Sequence, residues 1–144
     1  MNMLFRITGK KIVKKFGGQI SKSCLEIYND QIEKINQLSE ETVGLMDNYD
    51  FPEALNKIEE IIYLGNHCLS INEFWSMDDP EPVLYLTLET MRVVSILLQP
   101  FIPNQATKVL DFLEEDQRNF SNAKINLSKS SYAIDVKKIK NLHL

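Results

Sequence analysis

The chain has 144 residues, of which 44% are hydrophobic and 25% charged, and its net charge is −4. That is the size and balance of one globular domain with a single core. The negative charge excludes broad, charge-driven adhesion to nucleic acid and leaves room only for a small site that reads a few bases.

The opening residues, MNMLFRITGKKIVKKF, are apolar and basic but lack a small-residue cleavage site. They therefore read as neither a signal peptide nor a Ser- and Arg-rich transit peptide. The chain starts abruptly inside a helical pattern, as expected of a truncated product or a fragment. This first helix is predicted over about Asn2 to Ile12, with Met3, Leu4 and Ile7 on its apolar side. Asn2 and Arg6 stand i, i+4, one turn apart on one face. They form either a solvated edge or a pair of hydrogen-bonding groups aimed at a partner. Lys10, Lys11, Lys14 and Lys15 follow as a basic cluster, solvated or facing phosphates.

Gly17 and Gly18 break the pattern, and a loop is predicted to about Ser23. A second helix follows, with Leu25, Tyr28, Ile32, Ile35 and Leu38 on one face, running on through Val43, Leu45 and Met46. The third has the clearest start signal: Asp50 as N-cap, Pro52 in the first turn and Glu53 three residues after Asp50. Its predicted stripe is Leu55, Ile58, Ile62, Gly65 and Leu69, widened by Ala54 and Ile61. Phe74 and Trp75 come next, then a turn from Ser76 to Pro82.

The stretch from Pro82 to Pro103 organises the rest. It is apolar almost all round, with a thin polar strip of Thr87, Glu89, Thr90, Arg92 and Ser95. Such a helix is buried on nearly every side. Its Glu and Arg, and its shortfall from about 18 clean apolar residues, make it a poor membrane span. Pro100 cannot continue the helix and pushes Gln99 out of the α region, so the helix is predicted to end at Gln99. Pro103 opens a fifth helix with Ala106, Val109, Leu110 and Leu113 inside. Glu114, Glu115 and Asp116 sit in its last predicted turn, where the helix dipole opposes them and fraying is expected. Beyond Asn119 the composition turns to Asn, Ser and Lys. A short strand near Tyr132–Val136 is foreseen in an otherwise loosely attached tail. The fold class read from this pattern is all-α, an up-and-down bundle of about five helices.

Catalytic equipment is sparse. His67 and His143 are the only histidines, and neither has metal ligands at a recognised spacing. Cys24 and Cys68 make no zinc site and no disulfide framework; both fall in helical patterns that favour buried thiols. No metal or membrane partner is indicated. Trp75, the single tryptophan, is either a lid on the end of the bundle or a stacking platform for an unstacked base.

The runs FPEALNKIEEIIYLGNHCLSINEFW and VLYLTLETMRVVSILLQPFIPNQATKVLDFL together resemble the anticodon-binding helical domain of methionyl-tRNA synthetases. The resemblance covers about Asn2 to Leu113 and is densest from Phe51 onward. The joint Leu97-Leu98-Gln99-Pro100-Phe101-Ile102-Pro103 and a tryptophan at the end of the preceding long helix carry it most. It implies a class I aminoacyl-tRNA synthetase anticodon-binding bundle over 1–118, with the tail at 119–144. It implies that Trp75 stacks on an anticodon base. It also implies that Asn2 and Arg6, matching the family's Asn-x-x-x-Arg, hydrogen-bond base edges and backbone around a CAU anticodon of methionine tRNA. The family commonly has Pro before that Trp, where this chain has Phe74.

In the family a catalytic domain precedes the bundle, and its nucleotide-binding motifs do not occur here. The expectation is thus a non-catalytic part of an ATP-dependent methionine–tRNA ligase. The cofactor expectation is none in this chain, because ATP and methionine would bind the catalytic domain. Expected partners are methionine tRNA and that catalytic domain, without DNA. The joint and the short ending are closer to the mitochondrial or bacterial type, which implies the mitochondrial matrix, or the cytoplasm if bacterial. Two alternatives stay open: the bundle of a Cys, Leu, Val or Ile synthetase, and a free-standing helical interaction module.

Overall fold

The computed structural model describes residues 19–21, 28–72, 81–125 and 131–133. Four helices form the body: α1 (Asn29–Asp47), α2 (Phe51–Asn72), α3 (Glu81–Leu98) and α4 (Pro103–Phe112). The first predicted helix, over 2–12, lies outside the described residues. The two strands are β1 (Gln19–Ser21) and β2 (Ser131–Ala133), and a 3-10 turn spans Phe120–Asn122. Each helix packs on the next in sequence, α1 also reaches α3, and both β1 and the 3-10 turn lie on α3.

α3 is the centre, as its sequence predicts. Every residue from Val83 to Leu97 is buried, the polar strip included. Two of the threonines are accommodated by their own helix. Thr87 Oγ1 donates to the Val83 carbonyl at 2.9 Å and Thr90 Oγ1 to that of Leu86 at 2.8 Å. Such back-bonding satisfies a hydroxyl without water. Thr42 in α1 does the same to Leu38 at 2.7 Å.

α2 starts where predicted, and Asp50 Oδ1 accepts the Glu53 amide at 3.4 Å. The reciprocal half of the capping box is replaced, because the Asp50 amide donates to Leu45 O at 2.8 Å. The buried stripe of α2 is Ala54, Ile58, Ile61, Gly65 and Cys68, spaced four, three, four and three. Leu55, predicted inside, is 37% exposed, and Ile62 is a partly buried flank. The residues that only widened the predicted stripe are thus its middle.

α3 ends one residue before Gln99, and the Gln99 side chain then serves the joint. Its Nε2 donates to Ile96 O at 3.0 Å and to Arg118 O at 2.8 Å. Phe101 and Ile102 amides both return to Leu98 O, at 3.0 and 2.9 Å, before Pro103 starts α4.

α1 and α4 finish in the same way. At the end of α1, Tyr49 has φ 61°, with its amide on Met46 O and the Asp50 amide on Leu45 O. At the end of α4, Glu114 has φ 56°, with its amide on Asp111 O and the Glu115 amide on Leu110 O. Both are Schellman closures, in which a left-handed residue lets two amides satisfy orphan carbonyls. α4 therefore stops before the acidic triplet, and the predicted fraying in its last turn gives way to a closed cap. A side chain at positive φ is strained, whereas glycine is not. Glu114→Gly is expected to stabilise the chain by about 0.5–1 kcal/mol, read as a higher urea midpoint at unchanged slope.

Two expectations need correction. Within the loop predicted up to Ser23, residues 19–21 form β1, which pairs antiparallel with β2 in the register Gln19↔Ala133, Ile20↔Tyr132 and Ser21↔Ser131. The tail beyond Asn119 is not loosely attached where it is described. Ala123, Ile125 and Tyr132 are buried. The Ile125 amide donates to Asn36 Oδ1 at 2.7 Å, while Asn36 Nδ2 donates to Ile125 O at 3.1 Å. Ser39 Oγ donates to Ala123 O. Polar composition suggested detachment, but here the tail is held mainly through its backbone, to which composition is blind.

Candidate functional site

The residues named as readers of a base, Asn2, Arg6 and Trp75, all lie outside the described residues. What is described is the helix that leads towards Trp75 and its seat on α3. Gly65 makes that seat: a Cβ there would stand 3.0 Å from Thr90 Cγ2, so α2 and α3 cross at close range. Beside the crossing, Ile62, Asn66, Met91 and Val94 help line a cavity of about 20 Å³, room for at most one water. On the outer face of α2, Tyr63 and His67 stack with centroids 5.6 Å apart and planes 9° from parallel. Tyr63 is 64% exposed, and Asn66 is exposed beside the pair. Glu59 and Glu60 are exposed one turn earlier, which disfavours phosphate near these rings.

A polar cluster inside the bundle was not recognised from sequence. Glu89 is 1% exposed and Arg92 4%. Arg92 Nη2 and Nε donate to Glu89 Oε2 at 2.8 and 3.2 Å, and Arg92 Nη1 donates to Asn122 O at 2.8 Å. Nη2 also donates to Lys124 O, and Glu115 Oε2 lies 3.9 Å from Nε. Tyr132 donates its hydroxyl to the other Glu89 oxygen at 2.6 Å, and its ring packs on Tyr85 at 5.6 Å. Burial opposes the Arg92 charge, yet the adjacent Glu89 more than offsets this and its pKa ends raised. Burial, reinforced by the Glu89 charge, holds the hydroxyls of Tyr85 and Tyr132 protonated well beyond the ordinary tyrosine range. The available signal was an i, i+3 Glu/Arg pair on a helix otherwise apolar all round. Among the described residues no group of three His, Cys, Asp or Glu could hold a metal ion, and no helix is long and apolar enough to cross a membrane.

Fold and site together define an α-helical bundle closed by a short β-ribbon, with its buried charges spent on architecture. Residues 30–141 match the family model described as the anticodon-binding domain of tRNA ligase. The chain belongs to that family. It is 33% identical over 82 residues to the methionine–tRNA ligase of Rickettsia prowazekii (strain Madrid E), covering 54% of this chain and 16% of that one. It is 32% identical over 125 residues to the probable mitochondrial methionine–tRNA ligase of Neurospora crassa, covering 81% of this chain and 20% of that one. The fold is shared with apo methionyl-tRNA synthetase of Mycobacterium tuberculosis, at a TM-score of 0.80 and 22% identity over 92% of this chain and 29% of that one. The chain thus covers between 16% and 29% of the length of these proteins. Its relatives include both bacterial and mitochondrial ligases.

Proposed function

We propose that this bundle reads the CAU anticodon of methionine tRNA as part of a methionine–tRNA ligase. The observation that carries this is its match to the anticodon-binding family together with its likeness to methionine–tRNA ligases. In this reading the anticodon bases splay out of their stack and one lies on the Trp75 ring. Asn2 contributes an amide that both donates and accepts, and Arg6 a rigid fork of donors. An indole face holds any base, so discrimination falls to the hydrogen-bonding pair. Methionine activation with ATP belongs to a catalytic domain joined to the bundle. Anticodon binding then favours placing the acceptor end of the tRNA in that domain. The compartment is the mitochondrial matrix, or the bacterial cytoplasm, according to the parent ligase.

Trp75→Ala is expected to weaken binding to a CAU stem-loop by about 1–3 kcal/mol, roughly 5- to 150-fold in Kd, at fixed salt. Circular dichroism of the variant should retain the helical signal. A folded Trp75→Ala protein that binds the CAU loop as well as the unaltered chain would refute the stacking role.

A further inference from the structure

Among the described residues five large hydrophobic side chains are exposed. Four of them, Tyr49, Phe51, Leu55 and Ile102, gather at the pole where α1 and α3 stop and α2 and α4 start. The rings there form a ladder. Tyr49 meets Phe51 edge to face with centroids 6.3 Å apart, and Phe51 meets Phe101 in the same way at 5.9 Å. Leu55 stands one turn beyond Phe51 on α2, and Ile102 adjoins Phe101. Exposed apolar groups gathered in one patch mark a contact surface, whereas single ones do not.

Two features of this pole weaken the bundle when it stands alone. Tyr49 holds φ 61°, where glycine would be unstrained, yet its ring is 81% exposed. Gly44 lowers the helix propensity of α1, although a Cβ there would meet nothing within 4 Å. It opens onto a cleft of about 360 Å³ between α1 and α2, walled in part by Leu45 and Asn48. Neither residue gains packing within the bundle, and both fit a surface that another body covers.

The charges select that body. Asp47, Asp50 and Glu53 are exposed around the ladder, and Lys57, the cation at the cleft, is paired with Glu41 at 3.4 Å. An acidic rim repels phosphate and favours a protein surface with Lys or Arg around an apolar centre. Because the chain covers only 16% to 29% of the methionine–tRNA ligases compared, most of such a ligase lies outside the bundle.

We propose that the Tyr49–Phe51–Phe101 ladder and the Gly44 cleft seat the catalytic domain of the parent ligase, which meets them with an apolar patch rimmed by basic side chains. The parent ligase is taken from the proposed function; how the anticodon is read plays no part.

Hydroxyl-radical footprinting of the full-length ligase beside this chain alone tests the seat, with Tyr63, 64% exposed on the outer face of α2, as the control ring. Tyr49 should be oxidised at least about fivefold more slowly in the ligase, as its ring passes from 81% exposure into an interface core, while Tyr63 is unchanged. Equal Tyr49 rates in the two proteins would overturn the docking. Equal slowing of Tyr49 and Tyr63 would overturn its assignment to this pole. Gly44→Ala adds readouts of opposite sense: a higher urea midpoint for the chain alone, and faster Tyr49 oxidation in the ligase. A stabilised variant that leaves Tyr49 protected would remove the cleft from the seat. Sedimentation of the chain alone separates the other occupant, since a concentration-dependent dimer with Tyr49 protected would assign the pole to a second copy and overturn the proposal. Footprinting needs no tRNA, so the two readings fail separately. Tyr49 protected in a ligase indifferent to CAU would sink only the anticodon reading, and Tyr49 unprotected in one that prefers CAU only the docking.

Discussion

Arg92→Ala is expected to destabilise the chain by about 3–5 kcal/mol, a large part of what a domain of this size has in total. The substitution leaves the Glu89 carboxylate 1% exposed and stripped of two hydrogen bonds from the guanidinium. It also frees the Asn122 and Lys124 carbonyls from their donor. An unpaired charge in a core costs far more than the pair was contributing. Replacing the whole cluster should therefore be milder than the single change. The combination Glu89→Leu, Arg92→Met and Tyr132→Phe is expected to lose less than Arg92→Ala alone. Urea denaturation of the two variants side by side checks this, and a loss below about 1 kcal/mol for Arg92→Ala would contradict the account.

Leu88→Ala is expected to cost about 2–5 kcal/mol, because it opens a void at the centre of a helix enclosed on every side. Leu88 is 1% exposed on α3, and close-packed neighbours relax only partly into such a space. Leu55 supplies the control. It sits on α2 at 37% exposure, so Leu55→Ala should cost less than about 1 kcal/mol. Both are leucines in helices, and periodicity alone would rank them alike. Similar losses in the two variants would mean that α3 is not the organising element.

Much of the bundle is legible in sequence because its determinants are local. The run from Val83 to Leu97 announces a helix buried all round, and Asp50 with Pro52 announces the start of α2. Pro100 and Pro103 mark the α3–α4 joint to within one residue of where α3 stops. What escaped depends on pairing between distant residues. β1 lies near the opposite end of the chain from β2, and its three residues carry no pattern of their own, whereas β2 overlaps the strand foreseen near Tyr132–Val136 and lacked only its partner. The Asn36 amide meets Ile125 eighty-nine positions away. The closures at Tyr49 and Glu114 escaped because glycine is the usual sign of a left-handed cap, and neither site has one. Glu89 and Arg92 are visible as an i, i+3 pair, but only a neighbouring tail shows that they are buried and bonded to it. Spacing marked Asn2 and Arg6, and being the single tryptophan marked Trp75, but only resemblance favoured binding over a solvated edge or a lid, since no periodicity separates those roles.

The most direct test of the central claim is the affinity of the unaltered chain for a methionine-tRNA anticodon stem-loop, beside the same loop with CAU changed. Both must be measured at one salt concentration, because phosphate contacts vary with salt and carry no sequence information. Tighter binding to the CAU loop is expected, by about 1–3 kcal/mol for each base that is read. Equal affinity for the two loops, in a chain whose helices are intact, would contradict it.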